Sequence, residues 1–269
     1  MDQSLIIRDD CIARVDSQAG AVPLGQYAQT LVRFAERGES DQPIPPGVRF
    51  LIHRLPATLL VLEEPPQVRT VQWLDDNSRE RFGAAAVYRQ VRLAFPYIVI
   101  VVVFMQGILT TRTQCFYRTA PLGGRNDQLF IPNLYNVDNR EDMPCWLCLR
   151  KLEEINKVQS WGEKVEALRR HFWGAAFNCS ATLLRQKSYW WKMKLLDPRI
   201  SELDRWQAAS TQHPLFPLEV RWTPLRQTLG GIMDLMLDKI VTPYRFTITE
   251  DWLSLMPPIE AQPEEEAAP

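Results

Sequence analysis

The sequence predicts an α+β fold: an antiparallel β-meander of four or five strands with an N-terminal helix and C-terminal helices packed on one face. Two observations support this class. Short β-branched and aromatic runs bounded by proline and glycine fill much of the first half of the chain, and apolar residues at helical spacing dominate after residue 160. Strands grouped ahead of helices are typical of α+β domains rather than of alternating βα units.

The first predicted element is a helix over Pro23 to Arg37. Leu24, Tyr27 and Leu31 share one helical face, and Gly38 follows where such a helix would end. We expect this helix to pack its apolar face against the sheet.

Strand-like runs follow the helix. Three short ones are separated by prolines, and two stronger ones are joined around Gln106-Gly107, a dipeptide suited to a tight turn. The runs are Val48 to His53, Thr58 to Leu62, Val68 to Leu74, Tyr97 to Phe104 and Leu109 to Tyr117. Their spacing predicts a meander in which consecutive runs are neighbours.

A long irregular loop is predicted from Tyr117 to Arg140, and such loops in compact domains are commonly functional or mobile. Helical signals come after it. Ser160-Trp-Gly-Glu163 has the form of a capping box, so a helix should begin at Trp161. Further helices are predicted from Ser201 and over Thr228 to Ile240.

We interpret residues 1–255 as a single α+β domain, with a core over about 24–178 and a helical extension over 179–255. Residues 256–269 contain four glutamates and no basic residue, which predicts a disordered acidic tail.

Charge and hydropathy exclude several classes of function. The net charge of −1 gives no field that would attract nucleic acid. The most apolar run, Tyr97 to Met105, is much shorter than the roughly 20 residues that span a bilayer, so no membrane segment is expected. The first ten residues do not resemble a secretory signal, which favours the cytoplasm. The odd number of cysteines, 5, favours reduced thiols there.

The segment Pro144-Cys-Trp-Leu-Cys-Leu149 holds the candidate chemistry, because we expect it to form a loop, and a thiol on a loop between strands and helices can act as an acyl-carrying nucleophile. The same Cys-x-x-Cys spacing occurs in redox and zinc sites, which need further context. His171 and Cys179 are the nearest additional zinc ligands. Burial of both thiols as small apolar side chains is the remaining alternative.

The order of these parts resembles that of the ubiquitin-conjugating (E2, or UBC) superfamily and its divergent prokaryotic branches. That family runs helix, four-stranded meander, His-Pro-Asn, Cys-Leu and then a tryptophan. Here Ile131-Pro132-Asn133, Cys148-Leu149 and Trp161 occupy the last three places. Ile131 replaces the histidine, and fourteen residues separate Asn133 from Cys148.

The resemblance implies that Cys148, or alternatively Cys145, carries the C-terminus of a ubiquitin-like protein as a thioester and passes it to an amine. Asn133 or Asn136 would then stabilise the oxyanion or order the loop, and Asp142 would accept the proton of the amine. The partners would be the ubiquitin-like protein and its activating enzyme, and no cofactor is expected.

A second hypothesis is a non-catalytic E2-like adaptor in a multiprotein bacterial assembly, whose partners would be other proteins of that assembly. The absent histidine and the long loop favour it. The chain carries no motif of kinases, dehydrogenases, serine hydrolases or zinc proteases.

Overall fold

The computed structural model describes residues 5–8, 11–14, 22–23, 44–54, 56–74, 87–140, 143–149, 152–178 and 188–241. The chain divides into two units. One comprises Met1–Asp41 with Ile240–Pro269, and the other is Gln42–Lys239. The helix predicted over Pro23 to Arg37 lies outside the described residues apart from Pro23, which belongs to a strand, and the acidic tail over 256–269 also lies outside them. The domain limits therefore stay predictions.

The first unit contains a three-stranded antiparallel sheet in the order β1-β2-β3. Its strands are β1 (Leu5–Arg8), β2 (Cys11–Arg14) and β3 (Val22–Pro23). None of these short strands was predicted from the sequence.

The second unit is α+β with mostly antiparallel strands, which confirms the predicted class. Its strands are β4 (Val48–Arg54), β5 (Ala57–Glu64), β6 (Gln67–Leu74), β7 (Tyr88–Phe95), β8 (Tyr97–Met105), β9 (Ile108–Arg118), β10 (Gln128–Phe130), β11 (Val137–Arg140), β12 (Met143–Leu147), β13 (Ala176–Phe177) and β14 (Pro224–Thr228). Its helices are α1 (Leu152–Asn156), α2 (Trp161–Gly174), α3 (Trp190–Met193), α4 (Leu203–Gln212) and α5 (Leu229–Val241).

The larger sheet of this unit has the order β11-β12-β9-β8-β5-β4, with β10 and β14 attached beside β9. Its run β4-β5-β8-β9 is antiparallel throughout. Gln106 and Gly107 form the two-residue turn between β8 and β9, with φ of 51° and 80°. Positive φ at both positions is characteristic of a type I′ turn, whose twist matches that of the two flanking strands.

The centre of the fold is one long hairpin. β5 pairs with β8 and β6 pairs with β7 in a single register, in which Glu64 lies opposite Ile98 and Gln67 opposite Phe95. Pro65, Pro66 and Pro96 interrupt the strands at the same level, because proline cannot donate to the ladder. The expectation that β6 is a neighbour of β5 was therefore wrong: β6 continues β5.

Beyond the prolines, β6 and β7 form an arm, a second sheet in which β13 pairs in parallel with β6. Helix α4 covers the outer edge of β7. The Ala94 amide donates to Ser210 Oγ at 2.7 Å, and Trp206 Nε1 donates to the Ala94 carbonyl at 3.0 Å. The Arg92 amide donates to Gln207 Oε1 at 3.2 Å. These side chains satisfy backbone groups that a neighbouring strand would otherwise pair.

An aromatic cluster joins the arm to later parts of the chain. The Trp73 ring on β6 contacts four aromatic rings, with centroids 4.9 to 5.7 Å away, and is completely buried. Those rings are Tyr135, Phe177, Trp190 and Trp206. Offset and edge-on aromatic packing of this kind contributes beyond simple area burial.

Helix α2 confirms the capping prediction. Ser160 is its N-cap: the Glu163 amide donates to Ser160 Oγ, and Ser160 Oγ in turn contacts Glu163 Oε2 at 3.0 Å. Helix α5 matches the predicted helix over 228–240 to within one residue at each end, whereas α4 begins at Leu203 and has no side-chain cap. No helix among the described residues has the length and apolarity needed to cross a membrane.

Ser210→Ala should lower the free energy of unfolding by about 1–3 kcal/mol, because the buried Ala94 amide loses its acceptor. Thr211→Ala is the matched control: its hydroxyl only bonds back to the Gln207 carbonyl on the exposed helix face, so the change should stay within about 0.5 kcal/mol. Urea unfolding of both variants measures the difference. Equal midpoints for the two would contradict the covering role of α4.

Candidate functional site

The stretch after Tyr117, predicted as a long irregular loop, is held by charged side chains. The Arg118 guanidinium donates to the carbonyls of Ala120, Pro121 and Gln128. Backbone amides of Gly123 and Gly124 donate to Asp127, which also forms an ion pair with Arg118 at 3.4 Å. These bonds give the stretch a defined path to β10.

Two further contacts hold this stretch to the rest of the unit. The buried Glu63 carboxylate on β5 accepts the Leu122 amide and pairs with Arg49, which itself donates to the Leu122 carbonyl. At the start of α5, the Gly230 amide donates to the Arg125 carbonyl at 2.6 Å. A Cβ at Gly230 would lie 3.1 Å from that oxygen, so the close approach favours glycine.

The two candidate cysteines lie on the hairpin of β11 and β12. Cys145 is within β12, which pairs with β9 on one side and β11 on the other. Cys148 follows the last residue of β12. The expectation of a cysteine pair on a loop was therefore wrong for Cys145, because the irregular-looking sequence around it forms a strand.

Cys148 is the more accessible of the two and lies beside a candidate asparagine. The Cys148 amide donates to the Asn136 carbonyl at 2.9 Å, which extends the ladder by one pair beyond Val137 opposite Leu147. Cys148 is half-buried, whereas Cys145 is completely buried. The structure thus brings Cys148 and Asn136 together across the hairpin.

Cys145 has the properties of an enclosed thiol. Burial raises the pKa of Cys145 well above its ordinary value, and the neighbouring Tyr189 hydroxyl offsets only part of this. The Cys145 backbone has φ of 56°, in the left-handed region that is unfavourable for a residue with a Cβ. A neutral, enclosed thiol is a poor nucleophile, so the geometry favours Cys148.

The two predicted asparagines are both buried and unsatisfied. Asn133 is 0% exposed and Asn136 6%, and neither amide group has a hydrogen-bond partner among the described residues. Such groups cost free energy unless a water or an incoming group pairs with them. Asn136 is tied to Cys148 through the backbone, while no bond joins Asn133 to either cysteine in the described part of the chain. Asp142 lies outside the described residues.

Residues 188–190 form hydrogen bonds with β11 and with the residues just before it. They were not identified from the sequence as part of a site. Ser188 Oγ donates to the Leu134 carbonyl at 3.2 Å, and the Tyr189 amide donates to the Val137 carbonyl at 3.1 Å. The Tyr189 hydroxyl donates to Asn139 Oδ1 at 3.0 Å. The only sequence signal for this role is the run of aromatic residues that begins at Tyr189.

Strand geometry argues against the redox and zinc alternatives for the Cys-x-x-Cys spacing. Trp146 and Leu147 are extended, so the Cα atoms of Cys145 and Cys148 lie about 10 Å apart, beyond the reach of a disulfide. In the described ranges, no group of three or more histidine, cysteine, aspartate or glutamate side chains could hold a metal ion. Cys179, one of the further ligands considered, is outside those ranges.

Comparison with protein-family models, with curated proteins and with solved structures found no match to this chain. The chemistry of the site therefore rests on its own geometry.

Thiol labelling should separate the cysteines. In a Cys11→Ser, Cys179→Ser background, N-ethylmaleimide should modify Cys148 at least about tenfold faster than Cys145, because a buried thiol reacts only after local opening. Peptide mass spectrometry at timed intervals measures both rates. Adding Cys148→Ser should remove the fast phase; equal rates at Cys145 and Cys148 would contradict the assignment.

The backbone at Cys145 can be tested with a matched pair of variants. Cys145→Gly and Cys145→Ala both remove the sulfur, but only alanine keeps a Cβ at positive φ. We expect the glycine variant to be more stable than the alanine variant by about 1 kcal/mol in urea unfolding. An alanine variant of equal or greater stability would show that the left-handed conformation carries no cost.

Proposed function

We propose that the protein is an E2-like carrier that holds the C-terminus of a ubiquitin-like protein as a thioester on Cys148. The observation that carries this proposal is the difference between the thiols. Cys148 is half-buried at the end of a strand and is paired with Asn136, whereas Cys145 and Cys115 are completely buried. The antiparallel run β4-β5-β8-β9 ahead of the cysteine is compatible with the resemblance to the UBC superfamily.

Loading requires little of the protein beyond an accessible thiol. The Cys148 thiolate attacks the carbonyl carbon of the incoming thioester, and the thiolate of the activating enzyme leaves. Thioester exchange is close to balanced in energy, since one carbon–sulfur bond replaces another. A strand end that holds Cys148 in one place supplies the positioning.

Transfer to an amine requires stabilisation of negative charge on the carbonyl oxygen. The Asn136 side-chain amide is the candidate donor, because it is unsatisfied in the described structure and belongs to the residue opposite Cys148. Asp142 remains the proposed acceptor of the amine proton, and Asn133 a residue that orders the segment. Cys148 then leaves as the thiolate.

The experiment supplies a chemical thioester and so bypasses the activating enzyme. The protein is mixed with a ubiquitin-like protein ending in Gly-Gly and carrying a C-terminal 2-mercaptoethanesulfonate thioester, with ubiquitin itself as the first probe. We expect a covalent adduct that dithiothreitol cleaves, detected by non-reducing electrophoresis and mapped by mass spectrometry. Transfer is followed by adding free lysine.

Variants assign the roles. Cys148→Ala should abolish the adduct, and Cys145→Ala should retain it. Asn136→Asp, with no amide N–H to donate, should leave loading intact and slow the transfer to lysine by about 10²-fold or more. If Cys148 stays reactive toward N-ethylmaleimide yet accepts no member of a panel of such thioesters, the carrier proposal is wrong.

A non-catalytic adaptor is the second candidate, and the burial of both the Asn133 and the Asn136 amide groups favours it, because an enclosed amide meets a substrate only after local opening. Exposed leucines are a second point: Leu195 is 75% exposed and Leu215 51%. An adaptor would retain its protein partners in Cys148→Ala and lose them in Leu195→Asp. If the protein is a carrier, Cys148→Ala should lose the adduct in the thioester assay and Leu195→Asp should keep it.

A further inference from the structure

Cys115 and Cys145 lie next to the same paired position of two adjacent antiparallel strands. In the pairing of β9 with β12, Gln114 is opposite Trp146, and continuing this register by one pair would set Cys115 opposite Cys145. Both residues are 0% exposed, and both are free thiols. Residues directly opposite in antiparallel strands have Cα atoms about 4.5–5.5 Å apart, within the range that a disulfide spans.

The electrostatics of the pair agree with this register. The pKa of the Cys115 thiol is raised first by burial and then by the neighbouring Cys145. This effect agrees with the closeness of the two thiols in the strand pairing. Cys148 is excluded as a partner of Cys145 by the separation of about 10 Å along β12.

The backbone near the pair is irregular. The register of β11 against β12 shifts between Asp138 and Arg140, and Cys145 has φ of 56°. A disulfide between directly opposed residues of a flat ladder is strained, so a local irregularity gives the Cβ atoms room to reach a suitable angle. Gln114 Nε2 donates to the Pro144 carbonyl at 2.5 Å and helps to hold the two strands in register.

We propose that Cys115 and Cys145 form an intramolecular dithiol that closes to a disulfide when hydrogen peroxide reaches it through local opening of β12. One thiol loses its proton, its thiolate takes an oxygen from the peroxide to give a sulfenic acid, and the hydroxide that leaves accepts the released proton to give one water. The second thiol likewise loses its proton, its thiolate attacks the sulfenic sulfur and forms the S–S bond, and the displaced hydroxide accepts that proton to give a second water. Two thiols and one peroxide thus give one disulfide and two waters.

Closure would link β12 covalently to β9 while leaving Cys148 as a thiol. The site is therefore separate from the proposed carrier chemistry: it consumes neither Cys148 nor Asn136. It would hold in place the strand that ends beside Cys148, whether that cysteine carries an acyl group or not.

The test uses the full chain with Cys11, Cys148 and Cys179 changed to serine, so that only the proposed pair remains. Hydrogen peroxide is added under native conditions, with near-UV circular dichroism to show that the fold is kept. We expect the loss of both titratable thiols and a mass lower by two hydrogen atoms, with both changes reversed by dithiothreitol. Adding Cys115→Ser should prevent the loss of hydrogen and leave an oxygen adduct or a free thiol on Cys145.

The wild-type chain provides a second measurement that does not depend on the variants folding. After peroxide treatment, quenching with N-ethylmaleimide and digestion, a peptide linking Cys115 to Cys145 is expected. Both thiols remaining free, oxygen addition at either without a linkage, or a bridge from Cys145 to any other cysteine would overturn the proposal. A failure of thioester loading at Cys148 would leave these outcomes unchanged, so the two proposals fail separately.

Discussion

The continuous register of the central hairpin is the constraint on which the rest of the second unit depends. Because β5 with β6 and β7 with β8 keep one alignment across Pro65, Pro66 and Pro96, the hairpin belongs to two sheets at once. The half made of β5 and β8 supplies the middle of the larger sheet, where seven of the nine residues of β8, Ile98 to Phe104, are buried. The other half, β6 and β7, places Trp73 within the aromatic cluster.

The same arrangement explains why two cysteines three residues apart differ so much. β9 extends the larger sheet and accepts β12 as its neighbour, so Cys145 is enclosed between β9, β11 and Tyr189. Cys148 lies past the end of the strand, where its backbone bond to Asn136 continues the ladder. Position relative to a strand end, rather than local sequence, separates the structural thiol from the candidate nucleophile.

Local sequence predicted those elements whose stability is local. Ser160 caps its own helix, and β8 is an uninterrupted apolar run, so both are recognisable without the fold. β7 was missed because its arginines face outward and its backbone edge is satisfied by side chains of α4, far away in sequence. The hairpin of β11 and β12 was missed for a similar reason: Val137–Arg140 has little strand propensity and is held by β12 and by residues 188–190.

The covering of β7 by helix side chains has a consequence for the behaviour of the protein during folding. The backbone groups at the edge of β7 have their partners only after α4 has docked, because those partners are side chains of α4. This helix is more than a hundred residues further along the chain. Until then the arm presents an open row of backbone donors and acceptors, on which another copy could add a strand. Docking of α4 therefore removes an open strand edge that a chain truncated before this helix would still present.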